Sequence, residues 1–268
     1  MEASQTQKSN LLRIAAIHRT AAIHPEAKIA KHVKIGPFTT IGKNVELLPG
    51  TEIGPHVVIK GPTIIGKNNH IYHGTVIGAI SDPEKTPEPG QIIIGDNNII
   101  RENVTIYQGT KDKNTWIGSN NFIMAYCNIT EDCCLGENII ISNAVNLDSN
   151  VVIEDQAVIA GLSSVHQGVR IGRIAMVGAH SDVREDVPPY ILVDGHPARG
   201  KQINVIGLRR NGFKPELRKE IKMIFKILYR SRLEIGESII RINKEFKKSS
   251  EIDYFIKFLV DVNKGICR

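Results

Sequence analysis

The segment YCNITEDCC, residues 126–134, groups three cysteines with two adjacent carboxylates. A cysteine works as a nucleophile when a neighbouring base helps to form its thiolate, and the sequence supplies no such flanking base. Buried cysteine acting as a small hydrophobic residue is therefore the favoured interpretation of Cys127, Cys133 and Cys134. Together with Cys267 they show neither a paired framework nor zinc-ligand spacing, which predicts a reduced, cytoplasmic protein without a bound metal.

The last quarter of the chain carries the positive charge. Residues 201–268 contain 17 Lys and Arg against 8 Asp and Glu, whereas residues 1–200 contain 17 against 20. Six cations recur on one side of a predicted helix: Lys214, Arg218, Lys219, Lys222, Lys226 and Arg230. This stripe indicates docking of an acidic partner, although a solvated face explains it equally well. Aromatic residues are not interleaved with the basic ones, so no nucleic acid is expected as a partner.

An aliphatic residue recurs at every sixth position through most of the chain. The blocks run from Ile23 to Ile77, from Ile94 to Ile106 and from Ile117 to Val183, with no miss inside any block. Because a six-residue period fits neither an amphipathic helix nor an isolated alternating strand, it predicts a parallel β-helix with three hexapeptides per triangular coil. We expect the aliphatic side chains to stack in the interior. The glycine that often follows them is expected to give the turn backbone angles that a side chain would hinder.

Two segments interrupt the period. Residues 79–91 (AISDPEKTPEPGQ) contain three prolines and several charges, and cannot continue a strand ladder. Residues 107–114 (YQGTKDKN) are polar and rich in turn-forming residues. Both are predicted to be loops that leave the wall of the β-helix, where binding groups often lie. An insertion without function is the alternative.

The repeat stops at EDVPPY, where Pro188 and Pro189 are expected to end strand pairing. From Pro215 apolar residues follow at spacings of three and four, which predicts a helix. A second helix is expected over 233–247, and a third near Ser250, where SEID resembles a capping box. The predicted organisation is an N-terminal extension over 1–20, a parallel β-helix over 21–200 and a C-terminal helical domain over 201–268.

Composition and hydropathy exclude several classes of protein. With 41% hydrophobic and 23% charged residues, disorder throughout the chain is excluded. No apolar run approaches the roughly 20 residues of a transmembrane helix. The first twenty residues contain only a short apolar patch with an arginine inside it and no cleavage site, so no secretory signal is expected. These observations again favour the cytoplasm.

Several motifs together are more specific than the repeat, which many acyltransferases and some non-enzymes share. They are the start IHPEAKIA, the loop after Ile77, RENVTIYQGT, SSVHQGVRIG, DVPPY, INVIGLRRNGF, the YRS end of the first helix and the terminal KGI. With these motifs the chain resembles the UDP-N-acetylglucosamine O-acyltransferases of lipid A biosynthesis over nearly all of residues 20–268.

The resemblance implies a homotrimer of left-handed parallel β-helices with three active sites in the clefts between subunits. An acyl carrier protein delivers a 3-hydroxyacyl thioester, which the 3-hydroxyl of a UDP-amino sugar attacks; no other cofactor is implied. Such a transfer needs a general base for the hydroxyl proton and donors that hold the developing oxyanion.

In the family the base is a histidine in a segment that reads roughly AHIAHDC. The matching segment here is YCNITEDC, with Asn128 and Glu131 at the two histidine positions. One coil further on, Ser149 and Asn150 replace a Gly-His pair, whereas His166 keeps the histidine of the family's VHQ segment. The resemblance therefore implies Glu131 and His166 as the catalytic acid/base pair.

Three interpretations of Glu131 remain open. In the first it is the base itself, because a carboxylate buried in an apolar cleft can have its pKa raised toward neutrality. In the second the chain is a non-catalytic homologue that keeps the fold and binds nucleotide sugar or carrier protein in a regulatory or altered role. In the third Glu131 is a solvated wall residue beside Asp132. Neighbours on a strand face opposite sides, so Asp132 is not expected to raise the pKa of Glu131 further.

The resemblance also implies a set of substrate-binding residues. They are Asp82 and Lys85 in the first loop, Asn128, Ser149, Asn150 and Gln167 on the wall, and Asn204 and Arg210 for the uridine nucleotide. The backbone N–H of Ser149 corresponds to an oxyanion donor, and the planar fork of an arginine suits phosphate. Ile206 and Asn211 stand where the family has a glutamate and a second arginine, which suggests a different sugar nucleotide as an alternative acceptor.

Overall fold

The computed structural model of the chain describes residues 16–80 and 89–268. The chain divides after Asn138 into two compact units. The described part of the first unit consists of short parallel strands, turns and loops. The second unit contains further parallel strands, an antiparallel hairpin and four helices.

Three parallel sheets, here called A, B and C, form the first unit, and every third strand belongs to the same sheet. Sheet A contains β1 (Ala16–Ile17), β4 (Lys34–Ile35), β7 (Glu52–Ile53), β10 (His70–Ile71), β13 (Ile99–Ile100) and β16 (Phe122–Ile123). Sheet B contains β2 (Ala22–Ile23), β5 (Thr40–Ile41), β8 (Val58–Ile59), β11 (Val76–Ala79), β14 (Thr105–Tyr107) and β17 (Asn128–Ile129). Sheet C contains β3 (Lys28–Ile29), β6 (Val45–Leu47), β9 (Thr63–Ile65), β12 (Ile92–Ile94), β15 (Thr115–Ile117) and β18 (Cys134–Leu135).

Parallel pairing in register stacks the aliphatic residues on one another. Ile35 of β4, for example, lies beside Ile53 of β7, one coil further along the chain. In both units the aliphatic positions predicted from the repeat are buried, except Ile23 and Ile29. These two are half-buried because they belong to the first coil, which has a neighbouring coil on only one side within the described residues. The predicted interior column is therefore confirmed.

Among the glycines that follow the aliphatic residues, Gly78 has the expected left-handed backbone (φ 94°), but others are needed for a different reason. Gly36 and Gly54 do not have left-handed backbone angles. Instead, a Cβ on Gly36 would lie 2.8 Å from the backbone carbon of Gly54 in the next coil, so glycine permits the close approach of successive coils. Asparagine fills many of the left-handed turn positions, as at Asn44 (φ 57°) and Asn68 (φ 54°), because it tolerates this conformation.

The first predicted loop connects β11 to β12. Its residues 81–88 lie outside the described residues, and the predicted substrate-binding residues Asp82 and Lys85 are among them. The insertion lengthens one coil, because His70 of β10 pairs with Ile99 of β13.

The second predicted loop occupies residues 108–114, between β14 and β15. Its first residues are held against the wall, because the side-chain amide of Gln108 donates to the carbonyl oxygen of Gly61 at 2.7 Å. The backbone N–H of Gly90, at the end of the first loop, donates to the carbonyl oxygen of Gly109 at 2.7 Å. The two loops therefore contact each other on the first unit.

The second unit continues the hexapeptide pattern. One sheet contains β19 (Ile140–Ile141), β22 (Val158–Ile159), β25 (Met176–Val177), β27 (Ile191–Gly195) and β28 (Ala198–Ile203). A second sheet contains β20 (Asn146–Leu147), β23 (Ser164–Val165) and β26 (Asp182–Val183), and a third contains β21 (Val152–Ile153) and β24 (Arg170–Ile171).

The prediction that Pro188 and Pro189 end strand pairing was wrong. Both prolines are buried, and β27 directly afterwards pairs in parallel with β25. β27 then turns back on β28 as an antiparallel hairpin, with Ile191 beside Ile203. The prolines interrupt the six-residue period, but they occupy a turn, where a missing N–H removes no ladder bond.

Four helices follow the hairpin: α1 (Val205–Arg210), α2 (Pro215–Arg230), α3 (Ile235–Glu245) and α4 (Ser250–Val260). The last three confirm the predicted helices, whereas the short α1 was not predicted. Helix α4 begins at Ser250 as predicted, but its capping residue is Ser249, whose side chain accepts a hydrogen bond from the N–H of Ile252. The capping box belongs to α3 instead, between Glu234 and Glu237.

Tyr190 is fully buried where the helices pack on the strands of the second unit. Its ring stacks on Phe255 of α4, with centroids 6.3 Å apart, and tilts against Phe213 at 5.4 Å. Arg173 donates from Nη2 to the Tyr190 hydroxyl at 2.7 Å. This aromatic cluster packs α4 and the segment before α2 against Tyr190.

The predicted fold class, a left-handed parallel β-helix followed by C-terminal helices, is confirmed. Strand β1 lies before the predicted boundary at residue 21. Strand β28 crosses the predicted boundary at residue 200. Among the described residues no helix is long and apolar enough to cross a membrane.

Candidate active-site residues

Glu131 and Asp132 form a turn between β17 and β18. Asp132 has a left-handed backbone, with a φ of 62°. The expectation that the two carboxylates face opposite sides of a strand was therefore wrong. The strands of this fold are so short that β17 has already ended at Ile129.

The Asp132 carboxylate is hydrogen-bonded to Thr110 of the second loop. It accepts a hydrogen bond from the Thr110 N–H at 2.7 Å and from the Thr110 hydroxyl at 3.1 and 3.0 Å. Its own N–H donates to the Thr115 hydroxyl at 3.1 Å. Asp132 thus fixes both the loop and the turn that carries Glu131.

Glu131 differs sharply from its neighbour. Its side chain is half-buried, and the Oε2 atom is buried without a hydrogen-bond partner among the described residues. Leaving a polar atom in that state is costly, so it requires an explanation, and a functional role is one such explanation. The interpretation of Glu131 as a solvated wall residue does not fit this environment. Asn128, the other substituted histidine position, lies in β17 beside Thr105 and is half-buried.

His166 follows β23 in the second unit, and its Nε2 lies 2.6 Å from Oδ1 of Asp182. Asp182 begins β26, the neighbouring strand one coil further along. Its Oδ2 accepts a bond from Arg184 Nε at 2.6 Å and lies 3.8 Å from His196 Nδ1. Asp182, Arg184 and His196 were not predicted from the sequence. The 18-residue length of a coil could have indicated Asp182, because residues 18 positions apart, such as Ser164 of β23 and Asp182 of β26, pair on neighbouring strands.

Burial by itself would raise the pKa of Asp182, but hydrogen bonds from His166 and Arg184, and then their charges, outweigh it and hold the pKa below its ordinary value. Because the pKa is lowered on folding, ionised Asp182 stabilises the folded state above its ordinary pKa. This contribution is lost as the pH falls through the lower, folded pKa. Asp182 is therefore a charged partner of His166 at neutral pH.

The remaining wall residues of the second unit lie on neighbouring turns. Ser149 and Asn150 form one turn, and Gln167 with Gly168 forms the next in the same position one coil later. The Gly168 N–H donates to the Ser149 carbonyl oxygen at 2.9 Å, and Lys264 Nζ donates to the Gln167 carbonyl oxygen. The structure thus brings Ser149, Asn150 and Gln167 close to the backbone of His166.

Asn204 and Arg210 bound the short helix α1. Asn204 is buried; its Oδ1 accepts from the Gly207 N–H at 2.9 Å, and its Nδ2 donates to the Ile174 carbonyl oxygen at 2.8 Å. Both polar atoms therefore position the helix. Arg210 is exposed in the last turn, where its guanidinium can reach a ligand.

The predicted basic stripe lies along α2. Five of its six cations are exposed: Lys214, Lys219, Lys222, Lys226 and Arg230. Arg218 is an exception, because it is half-buried and its Nε is buried without a partner among the described residues. It lies one turn from buried Ile221, at the edge of the apolar face of the helix. A cavity of about 400 Å³ lies between α2 and β28. Its lining includes Lys222, Lys226 and Arg230 of α2 and Lys201 of β28.

Two further observations concern ligand sites. In residues 16–80 and 89–268, no three His, Cys, Asp or Glu side chains are placed to share a metal ion. A cavity of about 650 Å³ in the first unit runs along sheet A and its turns, from Ala16 to His73, and contains none of the predicted site residues. The candidate catalytic groups thus lie on turns outside this cavity, Glu131 in the first unit and His166 in the second.

The stacked hexapeptide coils, with acidic and basic groups on their turns, place the chain in the class of hexapeptide-repeat proteins. A family model described as UDP N-acetylglucosamine O-acyltransferase, domain 2, matches residues 186–267. The acyl-[acyl-carrier-protein]–UDP-N-acetylglucosamine O-acyltransferase of Thermodesulfovibrio yellowstonii is 42% identical over 255 residues, which are 94% of this chain and 99% of that protein. The chain therefore belongs to the UDP-N-acetylglucosamine O-acyltransferase family and is an acyltransferase, as the resemblance predicted.

Two more comparisons agree with this assignment. The enzyme of the same name from Herminiimonas arsenicoxydans is 41% identical over 262 residues, 95% of this chain and 100% of that protein. The crystal structure of the UDP-N-acetylglucosamine acyltransferase of Francisella novicida matches with a TM-score of 0.90 and 40% identity, and the match covers 94% of each chain.

Proposed function

We propose that the protein transfers a 3-hydroxyacyl group from acyl carrier protein to the 3-hydroxyl of UDP-N-acetylglucosamine, a step of lipid A biosynthesis. It would do so in the cytoplasm as a homotrimer, with three active sites in the clefts between subunits. The single observation that carries the proposal is the buried, unpartnered Oε2 of Glu131, at the position of the family's base. A carboxylate in this state is ready to accept a proton from a bound hydroxyl group.

The proposed reaction needs one proton removed and one supplied. Glu131 takes the proton of the sugar 3-hydroxyl while the sugar oxygen attacks the thioester carbonyl carbon. The new C–O ester bond forms, the C–S bond breaks, and the departing sulfur takes a proton from the imidazolium form of His166, which is left neutral. The N–H of Ser149 stabilises the oxyanion between these events. Exchange with water returns Glu131 and His166 to their starting states.

The uridine nucleotide is assigned to the end of helix α1. Exposed Arg210 supplies a planar pair of donors for the phosphates, and buried Asn204 holds the helix that carries it. Asn128, Asn150 and Gln167 are proposed to contact the sugar or the acyl group. Asp82 and Lys85 keep their proposed substrate contacts on the strength of the resemblance.

The acyl carrier protein is proposed to dock on the basic face of α2. Lys222, Lys226 and Arg230 line one side of the cavity in the second unit, and Lys201 of β28 adds a fourth cation. A concave surface with cations and no carboxylate among its lining residues attracts an acidic partner. Lys214 and Lys219 extend the exposed stripe, whereas half-buried Arg218 is assigned to the edge of the helix packing.

The direct test uses purified protein with UDP-N-acetylglucosamine and 3-hydroxyacyl carrier protein. Mass spectrometry should detect the O-acylated nucleotide sugar, and reactions without the acceptor should give no such product. Binding of both substrates without product at any pH would contradict the proposal and favour a non-catalytic homologue. The loss of both family histidines at Asn128 and Glu131 is the observation that motivates this second candidate.

A different acceptor is a narrower alternative. Ile206 stands at the position of the family's glutamate and is 63% exposed, and the Asn211 side chain is used at the end of α1, where it donates to the Gly207 carbonyl oxygen. A thermal-shift screen of UDP-sugars would identify the preferred nucleotide. A larger shift with another UDP-sugar than with UDP-N-acetylglucosamine would replace the proposed acceptor.

A further inference from the structure

We propose that Asp182 is a positioning residue for the reaction, because it holds His166 so that Nδ1 is the ring atom that gives and takes the proton. This inference rests on the proposed function. Its basis is the contact of 2.6 Å between His166 Nε2 and Asp182 Oδ1. An ionised carboxylate only accepts hydrogen bonds, so the nitrogen that faces it carries the hydrogen. The lone pair of neutral His166 then lies on Nδ1.

The Asp182 carboxylate is itself held in place. The side chain is 7% exposed, and each oxygen has its own contact: Oδ1 with His166, and Oδ2 with Arg184 Nε at 2.6 Å. His196 Nδ1 lies 3.8 Å from Oδ2 and adds a third group on the same side. The positive charge of Arg184 keeps the carboxylate ionised. With both oxygens engaged, Asp182 cannot rotate away from the imidazole.

His166 and Asp182 differ in exposure, which indicates different roles. The His166 side chain is 46% exposed, whereas Asp182 is buried. The buried contact occupies Nε2, so Nδ1 belongs to the part of the ring that a substrate can approach. A carboxylate behind a histidine fixes both the tautomer and the ring orientation, and supports the protonated form when it arises.

The arrangement depends on the coil. Asp182 pairs with Ser164 across neighbouring strands, and His166 comes two residues after Ser164, where β23 has ended. The His166 N–H donates to the Val183 carbonyl oxygen at 2.9 Å, which fixes the histidine backbone beside β26. Both the backbone and the side chain of His166 are therefore held by the same neighbouring strand.

The first arm of the test reads the tautomer without using activity. In protein with ¹⁵N-labelled histidine, the signals of His166 are those absent from the His166→Gln variant. At a pH where His166 is neutral, the hydrogen should be on Nε2 in the wild type, and this preference should be lost in Asp182→Asn and Asp182→Ala. A wild-type signal with the hydrogen on Nδ1 would overturn the proposal.

The second arm measures turnover. Carboxylates behind metal-bound histidines contribute about 10- to 100-fold to affinity or activity. We expect a comparable effect of Asp182 on His166, so Asp182→Asn should lower kcat at least about tenfold with little change in the KM for the nucleotide sugar. Asp182→Glu should recover part of the loss. Asp186→Asn is the matched control: Asp186 is buried in the same unit and accepts the Arg170 N–H at 2.8 Å, a bond that the amide oxygen can keep.

The outcomes separate the two proposals. Unchanged kcat in Asp182→Asn, in a protein that melts like the wild type, would overturn the role of Asp182 in the reaction. Equal losses in Asp182→Asn and Asp186→Asn would assign Asp182 a merely structural role and also overturn the proposal. Absence of product from the wild type would refute the proposed function, while the labelled histidine would still decide whether Asp182 sets the tautomer.

Discussion

The interior of the β-helix and the turns at its corners use the same hexapeptide in opposite ways. Inside, every coil repeats one environment, so that Ile35, Ile53 and Ile71 are interchangeable members of a buried stack. At the corners, even adjacent residues differ in environment. The Asp132 carboxylate accepts hydrogen bonds from Thr110, whereas Glu131 has a buried oxygen without a partner among the described residues. The repeat provides stability, and we assign the proposed chemistry to residues on the turns.

The largest expected effect is on stability, and it compares a residue of the buried interior with one on the surface. Ile159 is fully buried, so Ile159→Ala should lower the free energy of unfolding by about 2–5 kcal/mol, through lost burial and the cavity left behind. Ile240 is 70% exposed on α3, and Ile240→Ala should change the free energy of unfolding by less than about 0.5 kcal/mol. Denaturant titration measures both. Equal effects would contradict the interior column as the source of stability.

The next prediction concerns the turn of Glu131. Glu131→Ala should lower turnover at least about 100-fold, the lower end of a general-base contribution, without lowering the melting temperature. Glu137 is an exposed carboxylate six residues further along the same unit, and Glu137→Ala should keep wild-type turnover. Undiminished turnover of Glu131→Ala would remove Glu131 from the mechanism.

A smaller effect is expected from the basic face of the second unit. Exposed charge pairs contribute roughly 0.2–1 kcal/mol each, so reversing Lys222 and Lys226 to Glu should raise the KM for acyl carrier protein about tenfold. Because exposed charges are screened by salt, wild-type affinity should fall as salt is added, and the variant should respond less. Reversing Lys247 and Lys248 to Glu makes the same charge change at exposed sites beyond α3 and should have little effect. Salt-independent wild-type affinity would argue against this docking face.

The smallest effect distinguishes the cysteines. Cys127, Cys133 and Cys267 are buried, whereas Cys134 is exposed, so the interpretation of Cys134 as a buried hydrophobic residue was wrong. Burial raises the pKa of Cys267 to about 12, so at pH 8 its thiolate is scarce as well as inaccessible. Brief alkylation of the folded protein should therefore label Cys134 first. Faster labelling of Cys267 would contradict the described packing of the C-terminal residues.

Much of the fold could be predicted because burial in a β-helix is strictly periodic. The aliphatic positions of the repeat from Ile35 to Val183 correctly predict the buried interior, and the helical spacing after Pro215 correctly predicts α2. The hairpin of β27 and β28 was missed because it pairs outside the hexapeptide period. The reason for the glycines was also missed, because the contact between Gly36 and Gly54 lies between coils and leaves no local signal.

Less of the candidate site than of the fold could be predicted from the sequence. Resemblance identified Glu131 and His166, but the environment of each depends on residues far away along the chain. Asp182 contacts His166 from 16 residues further on, and Thr110 contacts Asp132 from 22 residues earlier. Periodicity predicts which side chains are buried, whereas polar partners at the turns differ from coil to coil.

The most direct test of the central claim is a double-mutant comparison of Glu131 and His166. If Glu131 acts in the formation and His166 in the breakdown of the same oxyanion, the slower of the two steps limits turnover and the effects of the two substitutions are not additive. Turnover of the double variant Glu131→Ala, His166→Ala should then be about as slow as that of the slower single variant. Losses that multiply, in variants that melt like the wild type, would contradict an acid/base pair.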